Sequence, residues 1–249
     1  MTDPNQSPGP TGVLVIDKAY GRTSTSVCTV VKARLRAGGA PKRVKVGHGG
    51  TLDPLASGIL VILIGKATKL CDEVMAGEKA YLAEVDLGVT SPTDDLESEP
   101  VPTPGAQPVT REGIERACEK FIGRIDQRPP AHSAVKIGGK RAYHLARAGD
   151  KPEPEARPVD IHEIELRAFE WPRATLHIRS GKGVYIRSLA RDLGEALGVG
   201  GMLAGLQRTK VGRFTIDESI TLDALSDPLT QEHLTITPEV ERLLKPRPE

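Results

Sequence analysis

The sequence has few aromatic residues and almost no net charge. Eight of its 249 residues are Phe, Tyr or Trp, and 34 Lys and Arg against 33 Asp and Glu leave a formal charge of +1. This composition argues against a uniformly cationic nucleic-acid binder and against a protein that reads RNA through a row of stacked aromatic rings. The length is sufficient for a sizeable hydrophobic core without disulfides or metals.

Cysteine and long apolar runs are also scarce. Cys28, Cys71 and Cys118 lie far apart and form no CxxC pair, so neither a disulfide framework nor a zinc site is indicated. The longest aliphatic run, residues 59–64, is far shorter than the ~20 residues that cross a bilayer. We therefore expect a cytoplasmic protein with no membrane association.

The near-zero total conceals an uneven charge distribution. The first fifty residues carry +6 and the next fifty −7, and no acidic residue lies between Asp17 and Asp53. Further acid-free windows follow at 127–149, 171–191 and 196–216. Such windows either arise by chance on a solvated surface or form a positively charged face that neutralises phosphates. The presence of four windows favours the phosphate-binding face.

Hydrophobic patterning predicts an α+β fold with a mixed, largely antiparallel sheet flanked by helices. Residues 38–50 read as a basic glycine-rich loop and residues 91–108 as a solvated acidic loop without a site. The predicted strands and helices follow, each from its apolar period and its flanking turn or cap residues. Strands are expected at 12–16, 59–64, 79–87, 159–169, 174–180, 203–207 and 212–216, and helices at 23–35, 110–122, 141–148 and 184–197.

The densest chemical signal is the run GHGGTLDPLASG at residues 47–58. Its glycines permit close approach of the backbone to a ligand, Pro54 stiffens the residue after Asp53, and flanking leucines place that Asp beside apolar surface. Spacing alone leaves two interpretations open, a turn-forming Asp that caps its own backbone or a reactive carboxylate, and it favours the turn.

This run resembles the catalytic-aspartate motif of the TruB family of tRNA pseudouridine synthases, which act on uridine 55 of the T-loop. Five further segments resemble family motifs in the family's order, and the resemblance spans residues 11–225. They are VIDKAYGRTS (15–24), KAYLAEVDLGVTSPTDD (79–95), PPAHSAVKIGGKRAYHLARAG (129–149), GVYIRSLARDLG (183–194) and LQRTKVGRF (206–214).

The resemblance implies a pseudouridine synthase catalytic fold and a role for each matching residue. Asp53 would be the nucleophile, attacking either the ribose C1′ or the pyrimidine C6, and Arg187 would pair with it. Tyr81 would stack on the flipped-out uracil and Leu206 would wall its other side. His48 would insert into the T-loop where the target base departs, and Lys18 would support the active-site loop.

Binding of the tRNA T-arm is also implied. An inserted thumb over about 127–155 would hold RNA phosphates and 2′-hydroxyls and would recognise shape more than sequence. Its contact residues would be Arg128, Lys136, Lys140, Arg141 and Arg147. The isomerisation conserves all atoms, so we expect no cofactor and no metal.

Two departures from the family pattern stand out. Ala19 occupies a position that is usually Pro, and His132 replaces an aromatic residue of the thumb. We expect a disordered tail over 1–10, a catalytic domain over 11–225 and a short tail over 226–249 without a full PUA domain. This organisation predicts a stand-alone bacterial-type monomer that uses no guide RNA and no obligate protein partner.

Two other classes of function stay open from the residues. The protein could be a tRNA-binding or tRNA-folding module in which isomerisation is secondary, so that the basic thumb matters more than Asp53. It could also be a metabolic α/β enzyme for a small anion held by the glycine-rich loop 38–50.

Overall fold

The computed structural model describes residues 9–133, 135–150 and 152–245. Helices and strands both occur throughout these ranges, and the main strand pairings are largely antiparallel, as expected. The strands are β1 (Gly12–Lys18), β2 (Val46–His48), β3 (Ala56–Ile64), β4 (Lys79–Leu87), β5 (Val89–Thr90), β6 (Val101–Pro102), β7 (Gly123–Gln127), β8 (Lys136–Ile137), β9 (Lys140–Arg141), β10 (Arg157–Glu170), β11 (Arg173–Ser180), β12 (Gly201–Val211), β13 (Phe214–Thr215) and β14 (Ile220–Thr221). The α-helices are α1 (Ser24–Ala37), α2 (Cys71–Ala76), α3 (Arg111–Glu119), α4 (Ala142–Arg147), α5 (Ile186–Ala196) and α6 (Pro238–Leu244).

The chain divides into two compact units. The terminal unit contains the chain up to Gly77 and from Arg208 onward, and the central unit is Glu78–Gln207. Among the described residues, no helix combines the length and apolar composition that a membrane span requires.

The terminal unit is built around β3, which pairs antiparallel with both β1 and β2. Nearly every side chain of β3 is buried, as its continuous apolar run predicts. Helix α1 begins after Thr23, whose hydroxyl accepts a hydrogen bond from the Ser26 amide at 3.0 Å. One stripe of α1, Val27, Val31 and Leu35, is fully buried.

The end of the chain belongs to this unit as well. The backbones of Val13 and Thr235 exchange two hydrogen bonds of 2.9 Å, and Val240 of α6 joins the buried cluster around Val13 and Val61. The described part of the segment 226–249, expected to be a short tail, is therefore folded against β1. The predicted tail over 1–10 lies, up to residue 8, outside the described residues.

The central unit contains an antiparallel sheet in the order β4, β11, β10, β7. Helices α3 and α5 pack on it, and α3 begins after Thr110, whose side chain accepts from the Gly113 amide. The apolar face of β4 presents Tyr81, Ala83, Val85 and Leu87 to this core. The strand 79–87 predicted from alternation is thus confirmed with its bounds unchanged.

The two segments predicted as loops contain paired strands. Residues 46–48, at the end of the basic loop 38–50, form β2 because Val46 and His48 take ladder positions opposite Ile64 and Ile62. In the acidic segment 91–108, β6 pairs with β5. The thumb segment holds the β8–β9 hairpin, whose turn residues Gly138 and Gly139 both have positive φ, 57° and 83°.

Candidate active site

Asp53 lies in the tight connection that leads from β2 into β3. Its side chain is half-buried, Leu52 beside it is 4% exposed, and the Asp53 carbonyl accepts from the Ala56 amide at 3.1 Å. The Asp53 backbone thus takes part in a turn, and both interpretations of its carboxylate, as a cap of its own backbone or as a reactive group, stay open.

Ser24 holds one side of this loop. Its hydroxyl accepts from the Leu52 amide at 2.9 Å and donates to the Leu52 carbonyl at 2.8 Å. The backbone N–H and C=O of Leu52, the residue before Asp53, are thus both hydrogen-bonded to one buried side chain at the start of α1. A loop residue held through its own N–H and C=O has little freedom to rotate.

Lys18 holds the other side. Its side chain is fully buried, and its ammonium donates to the carbonyls of Ala56 and, at 3.4 Å, Pro54. The same nitrogen donates to the carbonyls of Ala19 at 3.1 Å and Arg22 at 2.8 Å. A buried ammonium is stable only with such partners, so Lys18 ties the loop after Asp53 to the turn that follows β1. The role of Lys18 as a support of the active-site loop stays a prediction.

Arg208 is a third anchor that the sequence did not single out. Its guanidinium donates to the carbonyls of Ile59 at 2.9 Å, Thr51 at 3.0 Å and Gly50 at 3.1 Å, and the residue is 3% exposed. The fork of an arginine can satisfy three carbonyls in fixed directions, which an ammonium cannot. The only signal in the sequence was its place in LQRTKVGRF, two residues after Leu206.

The cations around Asp53 also act on one another. Burial lowers the pKa of Lys18 to about 8, with Asp53 opposing that shift and Arg208 adding to it. Burial, assisted by Arg208, also lowers the pKa of His48. His48 is therefore uncharged at neutral pH, and its buried Nδ1 has no hydrogen-bond partner among the described residues.

Glycine is required where the strand after Asp53 approaches Arg208. Gly58 has φ 95°, and a Cβ placed on it would lie 2.3 Å from the Arg208 carbonyl oxygen. No other residue type fits both the conformation and the space. The glycine pattern of GHGGTLDPLASG thus serves backbone packing here.

In the central unit, Tyr81 and Leu206 belong to one hydrophobic cluster. Tyr81 is 9% exposed on β4, and its backbone lies opposite Ile178 of β11. Leu206, in the middle of β12, is half-buried and packs against the same cluster. The two residues predicted to enclose a uracil are therefore neighbours of the same apolar surface.

Arg187 sits in the first turn of α5 and is 6% exposed. Its Nη1 lies 3.5 Å from an Asp95 carboxylate oxygen and donates to the Thr93 carbonyl at 3.4 Å, while Nη2 donates to the His132 carbonyl at 3.2 Å. The expectation of a solvated loop without a site at 91–108 is thus wrong at Thr93 and Asp95, which are buried because Arg187 draws a carboxylate and carbonyls inward.

The same face of α5 holds the start of the thumb. Arg191, one turn after Arg187, forms an ion pair with Asp94 at 2.9 Å and donates to the Arg128 carbonyl at 3.0 Å. Ser188 donates to that carbonyl at 2.8 Å. The side-chain amide of Gln127 donates to the Tyr185 carbonyl and accepts from the Tyr185 backbone N–H. Asp94 has φ 59°, so the acidic loop is bent sharply at the residue that meets Arg191.

The predicted RNA-contacting residues of the thumb are exposed where they are described. Arg128 forms a loose ion pair with Glu153 at 3.6 Å, and Lys136 and Lys140 lie on the exposed β8–β9 hairpin. The backbones of Arg141 and Arg147 belong to β9 and α4, and their side chains lie outside the described part of the structure.

Sequence comparison identifies the family. Residues 39–186 match the model of the TruB family pseudouridylate synthase N-terminal domain, and residues 187–247 match the tRNA pseudouridylate synthase B C-terminal domain. The chain belongs to the TruB family. Two relatives named tRNA pseudouridine synthase B come from Phocaeicola vulgatus, 43% identical over 89% of this chain and 94% of that protein, and from Mycobacterium tuberculosis, 45% identical over 87% and 72%.

Solved structures agree with this assignment. The structure described as a Cbf5-Nop10-Gar1 complex contains a chain 30% identical, with a TM-score of 0.67 over 90% of this chain and 59% of that one. A chain in a structure of an H/ACA RNP bound to a substrate RNA containing 2′-deoxyuridine is 27% identical, with a TM-score of 0.63 over 90% and 58%. The pseudouridine synthase fold expected from the motifs is confirmed, and this TruB-family chain spans a little under three fifths of those structural relatives.

Within the family fold, the predicted site residues fall in both units. Lys18, His48 and Asp53 lie in the terminal unit, where Lys18 contacts the Asp53 loop directly. Tyr81, Arg187 and Leu206 lie in the central unit. The pairing of Arg187 with Asp53 stays a prediction, and Arg208 and Asp95 are additions from the structure.

Proposed function

We propose that this TruB-family enzyme converts uridine 55 in the T-loop of tRNA to pseudouridine, with Asp53 as the nucleophile. Membership of the family supports isomerisation of uridine in tRNA. The observation that carries the finer assignment is the loop 50–56, in which Ser24, Lys18 and Arg208 fix the peptide groups on both sides of a half-buried carboxylate.

The reaction sets what the carboxylate must do. The bond between C1′ and N1 of the uridine breaks, a bond between C1′ and C5 forms, N1 takes up a proton and C5 loses one. Asp53 would form a transient covalent adduct at C1′ or at C6, which lets the uracil rotate without leaving the protein. Atoms balance without a redox partner, so the proposal needs no cofactor.

Electrostatics suit this role. The charge of Lys18 interacts with that of Asp53 in the same unit, and Arg208 lies close enough to help lower the pKa of Lys18. Arg187, the predicted partner of Asp53, is held with its charge already paired to Asp95. A nucleophile positioned before the substrate arrives loses less entropy in the reaction.

The remaining roles follow the residues' surroundings. Tyr81 and Leu206 would sandwich the flipped uracil at their shared apolar cluster. His48, uncharged because burial lowers its pKa, would occupy the gap left in the T-loop by stacking and shape instead of proton transfer. Arg128, Lys136, Lys140, Arg141 and Arg147 would hold the T-arm backbone, with no guide RNA and no second protein chain.

The decisive experiment compares Asp53→Asn with Asp223→Asn, a matched change at an exposed residue of the terminal unit. Pseudouridine in an unmodified tRNA transcript is mapped by carbodiimide treatment and primer extension. We expect Asp223→Asn to modify position 55 like the parent and Asp53→Asn to leave it unmodified while still binding tRNA. Full turnover by Asp53→Asn would overturn the nucleophile assignment, and modification at another site would overturn the position.

Asp53→Asn, compared with a variant of the thumb, tests the alternative of a tRNA-folding module. Its hallmark would be undiminished tRNA annealing and cellular function in Asp53→Asn, together with loss of both in a thumb variant such as Lys136→Ala/Lys140→Ala. The proposed enzyme predicts that the modification is lost in Asp53→Asn and only weakened in the thumb variant.

A further inference from the structure

Tyr20 is the most exposed large hydrophobic side chain among the described residues, at 61%. All eight aromatic residues of the chain lie in the described ranges, and the other seven are buried or half-buried. A chain this poor in aromatic residues therefore leaves one tyrosine ring largely in water. Exposed aromatic rings of this kind are common where proteins stack on unpaired nucleic-acid bases.

The turn that carries Tyr20 is fixed in place. The Lys18 ammonium donates to the carbonyls of Ala19 and Arg22 on either side of the ring-bearing residue. The Gly21 amide donates to the Pro54 carbonyl at 2.8 Å, and Gly21 has φ 82°, which a glycine adopts without strain. The tip at Tyr20 is therefore held by backbone contacts and not by packing of its own side chain.

Those contacts place Tyr20 next to the reactive loop. Pro54, which receives the Gly21 amide, directly follows Asp53 in the chain. Lys18 bonds both the turn and the loop, so the two segments form one rigid piece of the terminal unit. An RNA nucleotide at Asp53 would bring its neighbours within reach of the turn.

The charge around the turn favours an RNA over an apolar partner. Arg22 is exposed, and no acidic residue interrupts the sequence between Asp17 and Asp53. A ring for a base and a cation for a phosphate are the two elements of single-stranded RNA binding. In the motif that VIDKAYGRTS resembles, LDKPxGxTS, the position of Tyr20 is unspecified, so the motif does not by itself assign a role to this ring.

We propose that Tyr20 stacks on an unpaired base of the RNA substrate beside the target nucleotide, with Arg22 neutralising an adjacent phosphate. The proposal rests on the proposed function for the identity of the RNA. Stacking of this kind tolerates any base, because every base has a π face. Tyr20 thus adds affinity for an opened T-loop without reading its sequence.

The test measures binding separately from catalysis. In an Asp53→Asn background, the dissociation constant of a T-arm stem-loop RNA is compared for Tyr20→Ala, Tyr20→Phe and Leu244→Ala. Leu244 is an exposed apolar residue of α6, 43% exposed, outside the proposed site. We expect Tyr20→Ala to weaken binding by about 5- to 100-fold, as loss of one stacked base does, and Tyr20→Phe and Leu244→Ala to bind within about twofold of the background.

Salt dependence separates the two residues. Tyr20→Ala should leave the slope of log affinity against log salt unchanged, whereas Arg22→Ala should reduce it by about 0.7, the value for one contact to a single strand. In addition, 2-aminopurine placed at unpaired T-loop positions should be quenched at one position by the Tyr20 protein and not by Tyr20→Ala.

Several results would overturn the stacking proposal. Unchanged affinity in Tyr20→Ala, equal losses in Tyr20→Ala and Tyr20→Phe, or a change only in self-association by sedimentation would each do so. A circular dichroism melt of each variant shows that the fold is intact. Failure of the proposed function is recognised separately, because turnover by Asp53→Asn overturns the nucleophile while leaving these binding measurements intact.

Discussion

Arg187 and Asp95 form a buried ion pair, with Nη1 3.5 Å from Oδ2 and side chains only 7% and 10% exposed. The two residues lie on α5 and on the acidic loop after β5, 92 positions apart in the sequence. Since each charge is costly to bury alone, the pair fixes the acidic loop against the start of α5. This relationship gives the loop a structural role that its acidic, proline-rich composition concealed.

Asp95→Asn should destabilise the protein by about 3 kcal/mol, because it removes a buried carboxylate that is paired with the buried Arg187 charge. Urea unfolding followed by circular dichroism measures the change. The control is Asp86→Asn, which breaks the more exposed pair with Arg173, where the shortest contact is 2.7 Å. That pair should contribute less than about 1 kcal/mol, so equal losses in the two variants would contradict the assignment.

The lowered pKa of Lys18 leads to a prediction of how the activity depends on pH. Its folded pKa is about 8, so above that pH the ammonium loses a proton and one of its donors to the carbonyls around Asp53. We expect single-turnover rates to fall as pH rises through about 8, and this alkaline limb to be absent in Lys18→Arg, whose guanidinium stays charged. Constant rates from pH 7 to 9 in the parent would contradict the prediction.

Because of Lys18, the free energy of unfolding should change with pH in the opposite direction to the single-turnover rate. Because the folded pKa lies below the ordinary lysine value of 10.5, the unfolded chain binds more protons between about pH 8 and 10.5. In that window this group makes the free energy of unfolding rise with pH, and below about pH 8 it contributes no slope. A loss of activity above pH 8 without loss of stability would therefore separate the local effect from unfolding.

Arg208→Lys should reduce the rate constant more than the affinity for tRNA. A lysine can replace one of the three carbonyl contacts but not their fork geometry, so the loop 50–56 relaxes and misplaces Asp53. A displacement of about 1 Å at a catalytic group costs up to roughly 100-fold in rate, and we expect a loss of at least about tenfold. Rapid-quench kinetics at saturating and limiting tRNA distinguish rate from binding.

The control for that change is Arg213→Lys. Arg213 pairs loosely with Glu239 at 3.6 Å and lies over the Phe214 ring on the surface of the same unit. Its replacement should leave both kinetic parameters within about twofold, since exposed pairs contribute little. If both variants behave alike, the special position of Arg208 is refuted.

Gly58→Ala should destabilise the protein by about 2–5 kcal/mol, because a Cβ there meets the Arg208 carbonyl and the residue keeps φ at 95°. Thermal or urea unfolding measures the loss. Gly47→Ala is the matched change, since among the described residues no heavy atom beyond its two chain neighbours lies within 4 Å of its added Cβ. We expect Gly47→Ala to alter stability by less than about 1 kcal/mol, and similar values for the two would be inconsistent with the packing described.

Much of the fold followed from local patterns. The alternation of 79–87, the apolar run 59–64 and the helical patterns 23–35 and 110–122 each marked an element that the structure contains. These signals depend on neighbours in sequence, which is why they could be read without the tertiary structure. β2 was missed because it has only three residues, with glycine at its centre, and forms against β3.

The site was predictable where a motif carried a resemblance and less so where distance decided. Asp53 and Lys18 were singled out from GHGGTLDPLASG and VIDKAYGRTS, and their roles stay predictions. Arg208 and Asp95 were not singled out, because an arginine in a strand and an Asp in a polar loop look solvated until the carbonyls and cations they contact are known. Arg208 and Asp95 can be recognised only from their contacts in the folded structure.

The hydrogen bonds from Ser24, Lys18 and Arg208 to the loop around Asp53 cannot all form at the same stage of protein synthesis. Ser24 and Lys18 emerge from the ribosome early, whereas Arg208 follows after the whole central unit has been made. A nascent chain that ends before position 208 therefore carries the complete GHGGTLDPLASG segment with three backbone carbonyls still lacking their arginine donor. Asp53 reaches its final geometry only after Arg208 has been made and has bound the carbonyls of Gly50, Thr51 and Ile59.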